Sequence, residues 1–220
     1  AKAFDTLMTS ELGYSSYGVQ GGDWGGIIVA IMGSAHSDHV KAVHTNFPLG
    51  GPPAELSEED KVQKERRDAF QAVETGYSLE QGTKPDSLTV AQADSPAGLA
   101  AWIVEKFWVW GDTQGEIESA FTKDQLLTNL MFYWAPNSSA SSARIYYESR
   151  RDTGMRFNKV EVPTAVSIFT GEPWRVPRNW VEGRYNIQRW TELAEGGHFA
   201  PLEPPALLTG DVRGFLRTVG

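Results

Sequence analysis

The apolar positions of this chain change period along its length, and the changes mark out an α/β beginning, a helical middle and an α/β end. Phe4, Leu7, Met8 and Leu12 recur at helical spacing, which predicts a helix at the start and no signal-peptide pattern. Gly13 breaks it, and residues 14–20 read as a short strand. Gly21-Gly22-Asp23-Trp24-Gly25-Gly26 is then a hard turn, followed by a buried helix carrying Ile27, Ile28, Ala30 and Ile31 and ending near Gly33. Residues 40–47 form the next strand, closed by Pro48 and Gly50-Gly51-Pro52-Pro53. Strand, glycine turn, apolar helix, strand predicts parallel pairing through a crossover.

From Ser57 the pattern turns helical. Ser57 with Asp60 three residues on is a capping pair for a charged helix running to about Glu74. Residues 96–110 make another helix, with Leu99, Ile103 and Phe107 on one stripe. Thr122 and Gln125 form a capping box before residues 126–134, which Pro136 terminates, and residues 138–150 follow as a further helix. Alternating and run-like apolar residues return at 160–169, and 190–194 is a short strand. The last helix places Leu208, Val212, Phe215 and Leu216 on one face. The organisation predicted is a core of residues 1–50 and 156–220, with 51–155 inserted as an all-helical cap.

Composition removes several classes of function. Among 220 residues, 20 basic side chains face 28 acidic ones; the net charge of -8 argues against a nucleic-acid partner. No apolar run is long enough to span a membrane. Without cysteine there is no disulfide framework, thiolate zinc site or cysteine nucleophile. His36, His39 and Asp38 match no strong metal-binding spacing, so these two histidines and His44 read as surface or strand residues. No metal and no organic cofactor is expected.

Candidate chemistry centres on Asp23. Gly21-Gly22-Asp23-Trp24-Gly25 has the spacing of a strand-to-helix elbow, a strained turn that presents its middle side chain above a sheet and requires small neighbours. A carboxylate there attacks an electrophilic carbon and leaves an ester on the enzyme. An aspartate before Trp24 also suits a plain helix N-cap, so partners must decide between the two roles. His198, in Gly196-Gly197-His198-Phe199 after the 190–194 strand, is the candidate general base. Glu172, in Phe169-Thr170-Gly171-Glu172-Pro173 after the 160–169 strand, is the candidate carboxylate that orients it. Nucleophile, acid, histidine is the chain order of α/β-hydrolases.

With these residues in place, the chain resembles the epoxide hydrolases of the α/β-hydrolase fold, of the microsomal type and close to fungal members. The carriers are Val19-Gln20-Gly21-Gly22-Asp23-Trp24-Gly25, Thr83-Lys84-Pro85-Asp86, Asp94-Ser95-Pro96-Ala97-Gly98-Leu99-Ala100, Leu126-Leu127-Thr128-Asn129 with Tyr133-Trp134, and Gly196-Gly197-His198-Phe199-Ala200. The resemblance covers essentially the whole chain. It implies the α/β-hydrolase fold, here the C-terminal portion of its mainly parallel sheet, with the helical cap inserted. It also implies two cap tyrosines that donate to the epoxide oxygen: Tyr77 fits the first, and Tyr146 the second with Tyr147 as its rival. A buried core tyrosine is the ordinary role for each.

The implied reaction opens an epoxide to a vicinal diol through an ester on Asp23, which water activated by His198 then hydrolyses. Trp24 supplies one backbone oxyanion donor. Trp102 and Trp134 are candidate walls of an apolar or aromatic substrate pocket, against the plainer role of packing the cap. A small-molecule epoxide and water are the expected partners; membrane contact is excluded for this segment and a homodimer is allowed. The family's earlier strands and its His-Gly-Trp-Pro-like loop have no counterpart before residue 1. The chain therefore reads as the C-terminal portion of a longer enzyme. A cytoplasmic place is favoured, and an upstream membrane anchor is compatible with the sequence. Two other readings remain: a dehalogenase using the same aspartyl ester, for which paired tyrosines are needless, and a catalytically silent fragment that binds apolar ligands.

Overall fold

A computed structural model describes residues 1–152 and 158–219. The chain divides into two compact units, Ala1–Arg67 with Arg156–Gly220, and Asp68–Met155. Residues 51–67 thus group with the first unit, whereas the sequence pattern assigned them to the insert. The expected return to the core at 155/156 lies outside the described residues.

The first unit opens on a short helix α1 (Lys2–Thr6) continued by a π-helical turn (Leu7–Glu11). Strand β1 (Tyr17–Gly21), helix α2 (Trp24–Ala35) and strand β2 (Val40–Thr45) follow. Helix α3 (Glu58–Glu74) carries the chain into the second unit. After it returns, β3 (Val160–Phe169), β4 (Tyr185–Leu193) and the last helix (Pro205–Val219) complete the first unit. All strands run parallel in the order β1-β2-β3-β4.

Both faces of the sheet are covered. Val40, Val43 and Val160 pack with Val29, Ala30 and Met32 of α2, while Ala42 and Ala165 pack with Phe215 of the last helix. Neighbours such as Ala42 and Val43 point to opposite faces, so one strand serves both layers. This is why β3 is buried almost throughout rather than alternating. The buried face of α2 is Gly26, Val29, Ala30, Met32 and Gly33. Ile27, Ile28 and Ile31, expected to be buried, are only half-buried. Gly33 explains the phase: a Cβ there would lie 2.6 Å from Val43 Cγ2, so the helix meets the sheet on its small residues.

Ser57 and Asp60 cap α3 as the sequence implies. Asp60 Oδ2 accepts from the Ser57 amide (3.1 Å) and hydroxyl (2.8 Å), and the Asp60 amide donates back to Ser57 Oγ at 3.1 Å. The other oxygen accepts from Trp180 Nε1 (2.6 Å) and Asn179 Nδ2 (2.9 Å). The donors from Asn179, Trp180 and Ser57 hold this carboxyl down at about 2. A depressed carboxyl contributes stability above its unfolded value near 3.8 and loses it as pH falls towards about 2. Asp60→Ala is expected to lower the melting midpoint at pH 7 by about 5 °C, with the difference from wild type shrinking between pH 4 and 2. Thermal scans across that pH range check this.

The second unit holds α4 (Gly76–Thr83), α5 (Pro85–Asp94), α6 (Pro96–Trp110), α7 (Lys123–Trp134) and α8 (Ser139–Ser149). Ser95 caps α6 by accepting from the Gly98 amide, Pro96 stands at its first position, and Leu99 and Phe107 are buried as the stripe requires. The Thr122–Gln125 capping box is present at α7. The final helix of the chain, α9, is the Pro205–Val219 segment already described. Among the described residues no helix is long and apolar enough to cross a membrane.

Candidate active site

The C-terminal ends of β1, β3 and β4 face one edge of the parallel sheet, where open α/β sheets bind their ligands. The loops that follow these strands carry Asp23, Glu172 and His198 respectively.

Asp23 sits between β1 and α2 with φ 48° and ψ −124°, a backbone conformation that costs energy for any residue with a side chain. The glycines make this turn passable. A Cβ on Gly21 would lie 2.3 Å from the Gly25 carbonyl oxygen, and one on Gly26 2.5 Å from that of Phe47. Gly25 itself has open space where a Cβ would go, so the restriction falls on Gly21 and Gly26 and not on both sites expected. Asp23 occupies the N-cap position of α2, yet its side chain caps nothing there. The carboxylate turns instead to His198, with Oδ2 3.2 Å from Nε2.

The imidazole is held from its other side. His198 Nδ1 lies 2.8 Å from Glu172 Oε2, and Glu172 Oε1 accepts from the Trp174 amide at 2.9 Å. The side chains of His198 and Glu172 are only 6% and 3% exposed, against 43% for Asp23. His198 and Glu172 are therefore shielded while the Asp23 carboxylate remains open at one end. Backbone bonds lock the two loops together: Thr170 N donates to Leu193 O and Gly171 N to Gly196 O, both at 3.0 Å. Phe47, after β2, and Phe199 set their rings edge-on to the imidazole at 5.7 and 5.2 Å.

Electrostatics follow from this sandwich. Burial works against a charged imidazole, but hydrogen bonds to Asp23 and Glu172, with the two negative charges, outweigh it and push His198 up to about 10. Burial likewise favours a neutral Asp23, and the hydrogen bond and charge of His198, with the Trp24 amide, hold the carboxyl below its ordinary value instead. The resting arrangement is thus imidazolium between two carboxylates. The Trp24 N–H donates to this same carboxylate.

In the helical unit the Tyr77 ring meets Tyr146 edge-on with centroids 5.6 Å apart, and Trp110 at 5.2 Å. Tyr147 is engaged elsewhere, with the Arg151 guanidinium 3.4 Å over its ring. Trp102 and Trp134 are half-buried, the former donating its indole N–H to Gln81 Oε1 at 3.0 Å.

A buried Ser/His/Asp group escapes the sequence pattern. His44 is fully buried on β2, where its Nε2 and Ser167 Oγ both converge on Asp211 Oδ2, at 3.1 and 2.7 Å. Thr191 and Arg189 bind the other Asp211 oxygen. Serine and aspartate share one ring nitrogen, and none of the three side chains is open to solvent, so this is a polar tie between α9 and the sheet and not a relay. His36 and His39 each place Nδ1 against Asp5, at 3.2 and 2.9 Å. Among the described residues no group of three or more His, Asp or Glu side chains is arranged to hold a metal ion.

No family model matches the chain. Individual relatives do. It is 40% identical, over 97% of its length, to a putative epoxide hydrolase of Stigmatella aurantiaca, of which it covers 49%. It is 35% identical, over 98% of its length, to epoxide hydrolase 1 of Sus scrofa, of which it covers 54%. Among solved structures, the juvenile hormone epoxide hydrolase of Bombyx mori superposes with a TM-score of 0.88 at 30% identity, over 98% of this chain and 57% of that one. The Aspergillus niger epoxide hydrolase superposes with 0.84 at 30% identity, over all of this chain and 56% of that one. The chain spans about half the length of the curated relatives it matches.

Proposed function

Since the chain is a homologue of the epoxide hydrolases and has their α/β-hydrolase fold, we propose that it hydrolyses an apolar or aromatic epoxide to a vicinal diol through an ester on Asp23. The observation that carries this is the line Asp23–His198–Glu172, with contacts of 3.2 and 2.8 Å and a half-exposed carboxylate at one end.

In the first step an Asp23 oxygen attacks one epoxide carbon, and the carbon–oxygen bond of the ring breaks. Tyr77 and Tyr146 are the proposed donors that protonate the departing alkoxide, leaving a hydroxyalkyl ester and a tyrosinate. Phenols suit this role because they donate strongly only as charge develops on the oxygen. Their mutual packing favours Tyr146 over Tyr147, and paired phenols favour an epoxide over a halide. Trp102 and Trp134 are proposed to offer apolar surface to the unreacting part of the substrate.

Esterification also primes the second step. Once Asp23 is neutral, one of the two anions that sustain the imidazolium is gone, and His198 gives up its proton to solvent. Neutral His198 then takes a proton from water as the water oxygen adds to the ester carbonyl. The Trp24 amide stabilises the oxyanion. Collapse breaks the acyl–oxygen bond; His198 protonates the glycol oxygen, and the remaining proton restores the tyrosine.

A single turnover in heavy-oxygen water tests the route. The first diol should carry ordinary oxygen, taken from Asp23, and the peptide containing Asp23 should carry one heavy oxygen. Heavy oxygen in the diol with an unlabelled Asp23 would mean direct attack by water. Absence of any diol from a styrene-type epoxide would reject epoxide hydrolysis altogether.

A further inference from the structure

Glu203 lies outside the line just described, yet both of its carboxylate oxygens are committed to the loop that presents the histidine. Oε2 accepts from the Gly197 amide and Oε1 from the Phe199 amide, each at 2.9 Å. These are the peptide N–H groups on either side of His198. A carboxylate bridging two amides two residues apart fixes the intervening residue's backbone and thereby the direction of its side chain. The return bond from the Glu203 amide to Phe199 O, at 3.1 Å, closes the turn on itself. Gly196, at φ +100°, packs against the next residue, Pro204: a Cβ there would lie 2.6 Å from Pro204 Cγ and 3.0 Å from Phe169 Cδ1. The segment 203–204 therefore holds the histidine loop from beneath while Glu172 holds the ring.

We propose that Glu203 is a positioning residue for the hydrolytic half of the reaction, clamping the 197–199 backbone so that the imidazole meets the ester and its water. The role rests on the two-step reading above and separates its halves. Asp23 performs the first displacement with its own oxygen and needs no proton removed by His198. The second step needs the imidazole within hydrogen-bond reach of a water, where a displacement of about 1 Å costs up to about a hundredfold. Loosening the clamp should therefore slow ester hydrolysis and spare ester formation.

Glu203→Gln is the sharpest variant, because it keeps the shape but replaces one acceptor by an NH2 group that faces an N–H donor. Glu203→Asp keeps both acceptors on a shorter arm and should restore part of the loss. With a styrene-type epoxide, kcat of Glu203→Gln is expected to fall about ten- to a hundredfold. KM should fall in parallel, leaving kcat/KM nearly unchanged, and intact-mass measurement should show the ester accumulating. A general weakening of the fold would lower kcat/KM as well and leave no adduct. That result, or wild-type kinetics in Glu203→Gln, overturns the proposal. His198 titration followed by NMR gives a readout without turnover: a drop from the wild-type value in Glu203→Gln is expected, and an unchanged titration overturns the clamp. An inert wild-type protein would defeat the epoxide reading and still leave this measurement to decide on Glu203.

Discussion

Asp23→Asn is expected to abolish diol formation, by at least about 10⁴-fold, with the fold intact. The carboxamide has nearly the same shape but no anionic oxygen to displace the epoxide, so neither half of the reaction can begin. Asparagine is among the side chains that best tolerate a positive φ, so the strained turn at φ 48° should accept it without loss of stability. The same variant reports on the electrostatics. With only Glu172 left as an anionic partner, His198 should titrate well below about 10, moving towards its ordinary 6.5. Rate assays, a thermal scan and NMR titration of the imidazole together test these points. Retention of substantial turnover by Asp23→Asn would end the covalent mechanism.

His198→Gln should split the reaction where Asp23→Asn stops it. Ester hydrolysis is expected to slow by about 10²–10⁴-fold, the usual contribution of a positioned base, while ester formation continues. Asp23 loses a hydrogen bond and a positive neighbour, so burial is left to push its carboxyl up against the Trp24 amide alone. Glutamine retains an N–H for the buried Glu172 carboxylate, so the orienter is not left bare. The protein should therefore gain the mass of one epoxide on mixing and release diol only slowly. If no adduct forms and both phases are equally slow, His198 acts before the ester and not upon it.

Much of the fold could be read from local chemistry. The helix at Pro96–Trp110 has the limits the sequence implies, because Ser95 caps it, proline opens it and Gly111 follows it. The Thr122–Gln125 box and the Ser57–Asp60 pair likewise act within a few residues of where they stand. Where local signals are weak, the sequence underdetermines the element. β4 begins at Tyr185, earlier than the expected 190, because Asn186, Gln188 and Arg189 interrupt the apolar positions of this edge strand. The sequence leaves α4 and α5 undivided within the insert, since neither presents a clean apolar stripe; α5 instead buries Pro85, Thr89 and Gln92. Residues 14–16 add no length to β1, whose pairing with β2 begins at Tyr17.

For the site, the residue types and their order were legible, because a strained glycine turn and a glycine-flanked histidine each announce a backbone requirement that side chains at other positions do not. The sequence leaves Asp23 open as cap or nucleophile; in the structure its carboxylate makes no helix-capping bond and turns to His198. Glu203 carried no signal, since a glutamate in a polar turn is ordinary until two amides converge on it. His44 and Asp211 were equally silent, being brought together only by the packing of α9 on the sheet.

The sequence by itself determined the local devices: caps, breakers, the elbow at Asp23 and the apolar periods that require a parallel sheet covered on both faces. Only the tertiary structure decided which distant side chains share a proton. Hydrogen bonding and charge act across a few ångströms of space, and the parallel strands carry Asp23, Glu172 and His198 to one sheet edge from positions that nothing along the chain connects.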